Sequence, residues 1–152
     1  MKTIDLMIFD FDGTLADTGE DIAASVNHAL ASLGLAQRPV REILGFVGDG
    51  VRILMERTLG EDHRTMLDEA MEFFLRHYEK HLLDRTKLYP AAEEVLNHFG
   101  SKKKVILTNK RYYLTMAIAK GLKIDWHFLE IIGADSTPYQ KPDGRVIAYL
   151  LE

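Results

Sequence analysis

The fold is decided by residues 4–15, which read IDLMIFDFDGTL. The first part, Ile4–Phe9, is apolar except for Asp5 and is only as long as one strand. An apolar run without alternation is typical of a parallel strand that other elements cover on both faces. The second part, DFDGTL, supplies two carboxylates and a glycine directly after that strand. We therefore expect a functional site at the carboxyl end of the first strand, where open α/β sheets place their ligands.

Similar short apolar runs return late in the chain and predict two further strands, at residues 105–108 and 129–133. A helical pattern at residues 111–120 lies between them and ends before Gly121, a candidate helix cap. Strands that alternate with helices indicate a parallel sheet. The sequence thus predicts an α/β fold whose Rossmann-like core contains about three parallel strands.

The region between the first and second strands has no strand signal and predicts a helical insertion. Apolar residues recur there at helical spacing in three segments. These segments are residues 22–33, 51–59 and 62–84. Thr18 followed by Asp21 resembles a capping box at the start of the first helix. We predict an all-helical cap at residues 18–85 and a core formed by residues 1–17 and 86–152.

Composition and charge restrict the class of protein. The chain has 152 residues, a formal net charge of -4 and no cysteine. The charge gives no electrostatic reason to bind nucleic acid or acidic membranes, and the absence of cysteine excludes disulfides and thiolate nucleophiles. The first apolar run is too short and too acidic for a signal peptide, and no segment approaches the length of a membrane span. We expect a cytoplasmic protein that binds neither nucleic acid nor membranes.

Asp10 and Asp12 are the candidate catalytic residues. Carboxylates at positions i and i+2 of an extended backbone project to the same side. One can attack phosphorus while the other protonates the leaving oxygen and later activates water. Gly13 permits a sharp turn and a close approach of the backbone to an anion. Two such Asp residues alone are commonly solvated loop residues, but their position after a buried strand favours catalysis.

The ends of the two later strands carry further groups suited to phosphoryl transfer. Thr108 and Asn109 follow the second strand and are candidates for binding phosphoryl oxygens, as is Gly13. Lys141 follows the third strand and can neutralise both a phosphate and an attacking carboxylate. Each alone has an ordinary explanation, such as a helix cap or a surface lysine. Their common place at the carboxyl edge of the sheet favours a phosphate site.

These motifs, in this order, resemble the haloacid dehalogenase-like (HAD) superfamily of phosphohydrolases. The matching segments are residues 10–15, Thr108-Asn109 and Lys141-Pro142. Asp17-Thr18 and Tyr89-Pro90 are similar to the borders of the small helical cap that one branch of this family carries. Within that branch, residues 45–51 resemble the phosphoglycolate phosphatases.

The resemblance implies a Mg²⁺-dependent phosphomonoester hydrolase for a small phosphorylated metabolite such as 2-phosphoglycolate. In that scheme Asp10 forms an aspartyl-phosphate, and Asp12 is the general acid and then the general base. Thr108 and Lys141 bind the transferring phosphoryl group. The Asp10 carboxylate and the Asp12 carbonyl hold Mg²⁺, a cation that favours oxygen ligands.

Two other functions fit the same sequence. A phosphosugar mutase resembling β-phosphoglucomutase shares the core and the cap, and isomerisation of a sugar phosphate would distinguish it from a hydrolase. A non-catalytic interaction module that forms a homodimer through its first strand is the alternative from another class. Dehalogenation is less favoured, because Asp12 has no evident role in that reaction.

The family carries a further acidic motif after the lysine, usually Gly-Asp and another Asp, which supplies the remaining metal carboxylate. No such motif follows Lys141 in this sequence. We therefore expect that the chain lacks the C-terminal part of the family's core and that its first strand is an exposed edge. We also expect these 152 residues alone to be a poor phosphatase.

His77 and His81 have the i, i+4 spacing of a helical zinc site. No third ligand is evident in the sequence, and the residues between them lack the metalloprotease arrangement. Ordinary packed or surface histidines are therefore the preferred interpretation.

Overall fold

The computed structural model describes residues 4–151. The chain divides into two compact units, one formed by Met1–Asp17 and Lys87–Glu152 and the other by Thr18–Thr86. The predicted cap ends one residue earlier, at residue 85. Residues 1–3 and 152, which the prediction assigns to the core, lie outside the described residues. Across the described range, the structure contains no helix long and apolar enough to cross a membrane.

The described part of the first unit contains a parallel sheet and a short antiparallel pair of strands. The strands are β1 (Leu6–Phe9), β2 (Ala16–Asp17), β3 (Lys87–Leu88), β4 (Lys103–Leu107) and β5 (Glu130–Ile132). The parallel sheet has the order β1-β4-β5. Its register places Phe9 beside Ile106 and Leu107 beside Ile132, so the three carboxyl ends meet at one edge. The predicted α/β fold with about three parallel strands is confirmed.

β2 and β3 pair in antiparallel fashion, with Ala16 beside Leu88, and the sequence does not predict them. Each is only two residues long, so neither produces a periodic pattern. A tight turn connects β1 to β2. It is closed by the N–H of Gly13, which donates to the carbonyl of Ala16 over 3.0 Å, and Gly13 has the positive φ of 77° that glycine adopts readily.

The second unit is helical. Its α-helices are α1 (Gly19–Ser32), α2 (Val40–Leu44), α3 (Val51–Leu59) and α4 (Leu67–Tyr78), and a 3₁₀ segment covers Glu61–Met66. α1 packs against α4. The buried apolar side chains of this unit include Val26, Leu30, Ile43, Met55, Phe74 and Tyr78. The unit therefore has a hydrophobic core of its own.

Two predictions for this unit are wrong. The helix predicted over residues 62–84 begins as a 3₁₀ segment with a non-helical backbone at His63, and its α-helical part ends at Tyr78. The predicted capping box does not form, since Thr18 makes no side-chain capping hydrogen bond. The Asp21 carboxylate instead accepts the N–H groups of Arg85 and Thr86 over 2.8 to 3.1 Å, which ties the end of the unit to its start.

In its described part, the first unit has the α-helices α5 (Ala92–His98), α6 (Tyr112–Gly121) and α7 (Arg145–Leu151), and a 3₁₀ segment covers Asp125–His127. Val146 of α7 packs with Val105, Leu107 and Ile132 in one buried cluster. Gly121, the predicted cap after α6, is the last residue of the helix. The positive φ of 59° that follows this helix belongs to Lys123. Asp10 follows β1 and Thr108 follows β4, so both lie at the carboxyl edge of the sheet, as predicted.

Candidate active site

Asp10 lies directly after β1 and is paired with Lys141. Lys141 Nζ lies 2.9 Å from Asp10 Oδ1, and the side chains are 30% and 47% exposed. The same carboxylate oxygen accepts the N–H of Phe11 over 2.7 Å. The fold thus joins two predicted site residues from the two ends of the chain, in a place that solvent and a small ligand can reach.

Asp12 is paired with Lys110, a residue outside the site predicted from the sequence. Lys110 Nζ lies 3.0 Å from Asp12 Oδ1, and the side chains are only 7% and 14% exposed. The sequence feature that could have identified Lys110 is its position, because it directly follows Thr108 and Asn109 at the end of β4. Each of the two carboxylates therefore has its own lysine, one pair accessible and the other largely buried.

Thr108 and Asn109 are both buried, with 4% and 7% of their surface exposed. Thr108 donates its N–H to the carbonyl of Ile132 over 3.0 Å, and its Oγ1 accepts the N–H of Lys110 over 3.1 Å. The Asn109 side chain hydrogen-bonds the main chain of Lys141. Asn109 thus contacts the main chain of the lysine that pairs with Asp10, and Thr108 contacts the main chain of the lysine that pairs with Asp12. The predicted contacts of both residues with phosphate stay predictions.

The loop that carries Lys110 is also fixed from the end of β5. The N–H of Ala134 donates to the Lys110 carbonyl over 2.9 Å. At Gly133 an added Cβ would lie 2.3 Å from the Tyr112 nitrogen, so this close approach of the two loops requires glycine. The resulting arrangement connects Asp10, Lys141, Asn109, Lys110 and Asp12 in one continuous series of contacts and peptide bonds.

Chemically, the arrangement offers an accessible carboxylate, a second carboxylate two residues away and two ammonium groups. Ammonium groups near the carboxylates offset the negative charge that would otherwise repel an incoming phosphate. Residues 7–152 match the sequence model of the haloacid dehalogenase-like hydrolases, which covers nearly the whole chain. The chain belongs to the haloacid dehalogenase-like hydrolase family.

Two proteins similar to this chain are named phosphoglycolate phosphatase. The protein from Cereibacter sphaeroides is 37% identical over 147 residues, which cover 90% of this chain and 66% of the relative. The protein from Nitrosospira multiformis is 33% identical over 156 residues, which cover 98% and 69%. The chain thus spans about two thirds of the length of the curated relatives that it matches.

Two similar proteins of known structure have the same fold. A protein from Haemophilus somnus described as a predicted phosphoglycolate phosphatase superposes with a TM-score of 0.91 at 28% identity, over 99% of this chain and 71% of that one. The haloacid dehalogenase-like protein SP0104 from Streptococcus pneumoniae gives a TM-score of 0.82 at 26% identity, over 97% and 69%. The arrangement of helices and strands described above is therefore that of the family.

Haloacid dehalogenase-like phosphatases are expected to use Mg²⁺, and the residues of this chain can be compared with that requirement. Residues 4–151 contain no cluster of three or more His, Cys, Asp or Glu side chains that could hold a metal ion. They do offer the Asp10 carboxylate and the main-chain carbonyl of Asp12. Mg²⁺ is commonly bound by one or two carboxylates together with water and substrate phosphate. The donors present are therefore of the right type for Mg²⁺, with most of its coordination left to water and substrate.

The loop that follows Lys141 is ordered by an ion pair. Asp143 Oδ2 lies 2.6 Å from Arg145 Nη2, and Asp143 also accepts the main-chain N–H of Arg145. The hydrogen bonds from Arg145 lower the pKa of Asp143 to about 2. The Arg145 guanidinium lies over the ring of Tyr139, 4.3 Å from its centre. These contacts stabilise the loop on both sides of Lys141.

Proposed function

We propose that this chain carries the catalytic core of a Mg²⁺-dependent phosphomonoester hydrolase that works through an aspartyl-phosphate. The observation that supports it best is the pairing of Asp10 with Lys141 next to the pairing of Asp12 with Lys110. A nucleophile, a second carboxylate for proton transfer and cationic groups for the phosphate are the parts that this reaction requires.

Asp10 is the proposed nucleophile. Its described contacts, with Lys141 and with the N–H of Phe11, both involve Oδ1. Oδ2 is then the oxygen that attacks phosphorus, forming a new P–O bond as the ester P–O bond to the leaving alcohol breaks. The Lys141 ammonium offsets negative charge on the carboxylate and on the phosphoryl oxygens during the attack.

Asp12 is the proposed general acid and base. As a carboxylic acid it gives its proton to the leaving oxygen in the first step. As a carboxylate it then takes a proton from the water that attacks the phosphorus of the aspartyl-phosphate, which releases phosphate and restores Asp10. Lys110 keeps the Asp12 side chain in place through its contact with Oδ1. Mg²⁺, held by the Asp10 carboxylate and the Asp12 carbonyl, would offset charge between carboxylate and phosphate dianion.

We further propose a small organic phosphate as the substrate, with 2-phosphoglycolate as the first candidate. Two relatives that are 37% and 33% identical to this chain are named phosphoglycolate phosphatase, which supports this choice. We also propose that the protein works in the cytoplasm, and the absence of cysteine from these 152 residues supports a reducing compartment.

The experiment is a hydrolysis assay of this chain on a panel of small phosphomonoesters with and without Mg²⁺. We expect Asp10→Asn to reduce turnover by about a thousandfold or more, since it removes the nucleophile. Asp5→Asn, an exposed position before β1, is the matched control and should retain the wild-type rate. Mass spectrometry of the quenched reaction should find phosphate on the Asp10 peptide. Wild-type turnover by Asp10→Asn would contradict the proposal.

A second candidate function, a non-catalytic module that dimerises through β1, is favoured by one observation. In the described sheet β1 is an edge strand, and Ile8 on it is 39% exposed. Exposed apolar edges pair readily with another strand. A molar mass of two chains in solution, together with no Mg²⁺-dependent turnover, would support this candidate over the hydrolase. A monomer would exclude it.

A further inference from the structure

The Asn109 side-chain amide makes two hydrogen bonds with the main chain of Lys141. Its Nδ2 donates to the Lys141 carbonyl oxygen over 3.0 Å, and its Oδ1 accepts the Lys141 N–H over 3.1 Å. The two residues are 32 positions apart in the chain. The pair of hydrogen bonds therefore fixes the loop before α7 against the carboxyl end of β4.

The loop before α7 also has internal contacts, and their effect differs from that of the two Asn109 hydrogen bonds. Asp143 and Arg145 pair with each other, and Arg145 packs on Tyr139, so these three residues order the loop internally. The Asn109 bonds connect the loop to the sheet. They hold the Lys141 main chain and leave the Lys141 ammonium to contact Asp10.

The position of the Lys141 main chain matters because a lysine side chain is long and flexible. Ordering such a side chain against one partner costs rotamer entropy. When the Cα is fixed, only the side-chain dihedral angles remain to be ordered. The contact of 2.9 Å between Lys141 Nζ and Asp10 Oδ1 thus depends on where the main chain of Lys141 is held.

We propose that Asn109 is a positioning residue, which holds the Lys141 ammonium against Asp10 by clamping the Lys141 main chain. The inference rests on the proposed function, in which Lys141 and Asp10 are the phosphate-binding lysine and the nucleophile. It gives Asn109 a role that is distinct from the phosphate contact predicted from the sequence. Only 7% of Asn109 is exposed, which suits a residue that acts through another residue.

The test uses nuclear magnetic resonance and needs no turnover. Hydrogen exchange of the Lys141 amide reports the clamp, and the signal of the Lys141 ε-methylene reports the ion pair with Asp10. Asp10→Asn supplies the reference signal of a lysine without that ion pair. Asn109→Ala should speed exchange of the Lys141 amide by about tenfold, the effect of losing the net contribution of one hydrogen bond. It should also move the ε-methylene signal toward the Asp10→Asn value.

The matched control is Asn97→Ala, the same substitution at an exposed position of α5, which should leave both signals unchanged. Asn109→Asp keeps the Oδ1 acceptor and the shape of the side chain, so it decides the question if Asn109→Ala does not fold. In Asn109→Asp the Lys141 amide should therefore exchange as slowly as in the wild type. Exchange about tenfold faster than in the wild type, as expected for Asn109→Ala, would contradict the clamp.

Unchanged amide exchange in Asn109→Ala would overturn the proposal. Faster exchange with an unchanged ε-methylene signal would overturn it as well, because the clamp would then have no effect on the ammonium. A wild-type chain without Mg²⁺-dependent hydrolysis would contradict the proposed function alone. Both magnetic resonance signals would still report whether Asn109 positions Lys141.

Discussion

At the scale of single residues, the least expected feature is a largely buried lysine beside Asp12. Lys110 has 7% of its side chain exposed, and a charge in such a place is tolerated when an opposite charge lies close to it. Removing one member leaves the other partly buried without its partner. Lys110 therefore contributes both to stability and to the orientation of the proposed acid and base.

We predict that Lys110→Met lowers the free energy of unfolding by about 2 kcal/mol, because Asp12 loses a charged hydrogen-bond partner. Turnover should fall by about tenfold or more, since a misplaced general acid transfers protons poorly. Lys110→Arg keeps the charge and should recover part of both losses. Urea unfolding and the phosphomonoester assay measure these effects. A methionine variant with wild-type stability and turnover would show that the ion pair has no role.

At the scale of elements, the packing of α1 on α4 brings histidine rings into a stack. The rings of His28 and His77 have centroids 4.2 Å apart, as do those of His77 and His81. Ser25 Oγ on α1 lies 2.9 Å from His77 Nδ1. Burial lowers the pKa of His77, and the neighbouring His28 and His81 lower it further, partly offset by Asp84. The i, i+4 pair that could suggest a zinc site is thus part of a ring stack between helices.

This stack predicts a pH dependence of stability with a defined sign. The folded pKa of His77 lies below its ordinary value of 6.5, so the unfolded chain binds the proton more tightly. The stabilisation is complete well above pH 6.5 and is lost as the pH falls through that value toward the folded pKa. Thermal unfolding between pH 7.5 and 5 should therefore show a smaller decrease in Tm for His77→Gln than for the wild type. His98→Gln, an exposed position on α5, is the control. Equal decreases in wild type and His77→Gln would contradict the assignment.

At the scale of the whole molecule, the sequence predicts the features that depend on neighbouring residues and misses those that depend on distant ones. The apolar run before Asp10 predicts a parallel strand, and the structure confirms the parallel pairing with β4. The expectation that both faces of this strand are covered is wrong, because Ile8 on β1 is 39% exposed. Asp21 has the spacing of a capping residue, yet its carboxylate binds Arg85 and Thr86, 64 and 65 positions away. No local pattern contains that information.

The candidate site shows the same division. Asp10, Asp12 and Lys141 each follow a predicted strand. Because the carboxyl ends of parallel strands meet at one edge of the sheet, the sequence predicts that these residues lie close together. Lys110 also follows a strand, but a lysine before a helix has ordinary explanations at the surface. Only the fold shows that its ammonium turns back to Asp12. The partner of each polar side chain is therefore the part that sequence alone does not supply.

The division into two units leads to a prediction about folding. Unit Thr18–Thr86 is continuous in sequence, whereas the other unit is assembled from two separated segments. The continuous unit has its own buried core, and the Asp21 carboxylate joins its two ends. A domain of this size buries enough apolar surface to fold alone, although with little stability to spare.

We therefore expect a fragment of residues 18–86 to be helical by circular dichroism and to unfold cooperatively on heating.

Asp21 is only 3% exposed and also accepts the Thr86 hydroxyl over 2.7 Å. Asp21→Ala should therefore reduce the free energy of unfolding of the fragment by about 3 kcal/mol, because three donors, two of them buried, lose a charged acceptor. Asp62→Ala, at an exposed position, is the matched control and should unfold like the parent fragment. A fragment without a cooperative transition would show that this unit depends on the rest of the chain. An unaffected Asp21→Ala fragment would show that the contact between its ends contributes little.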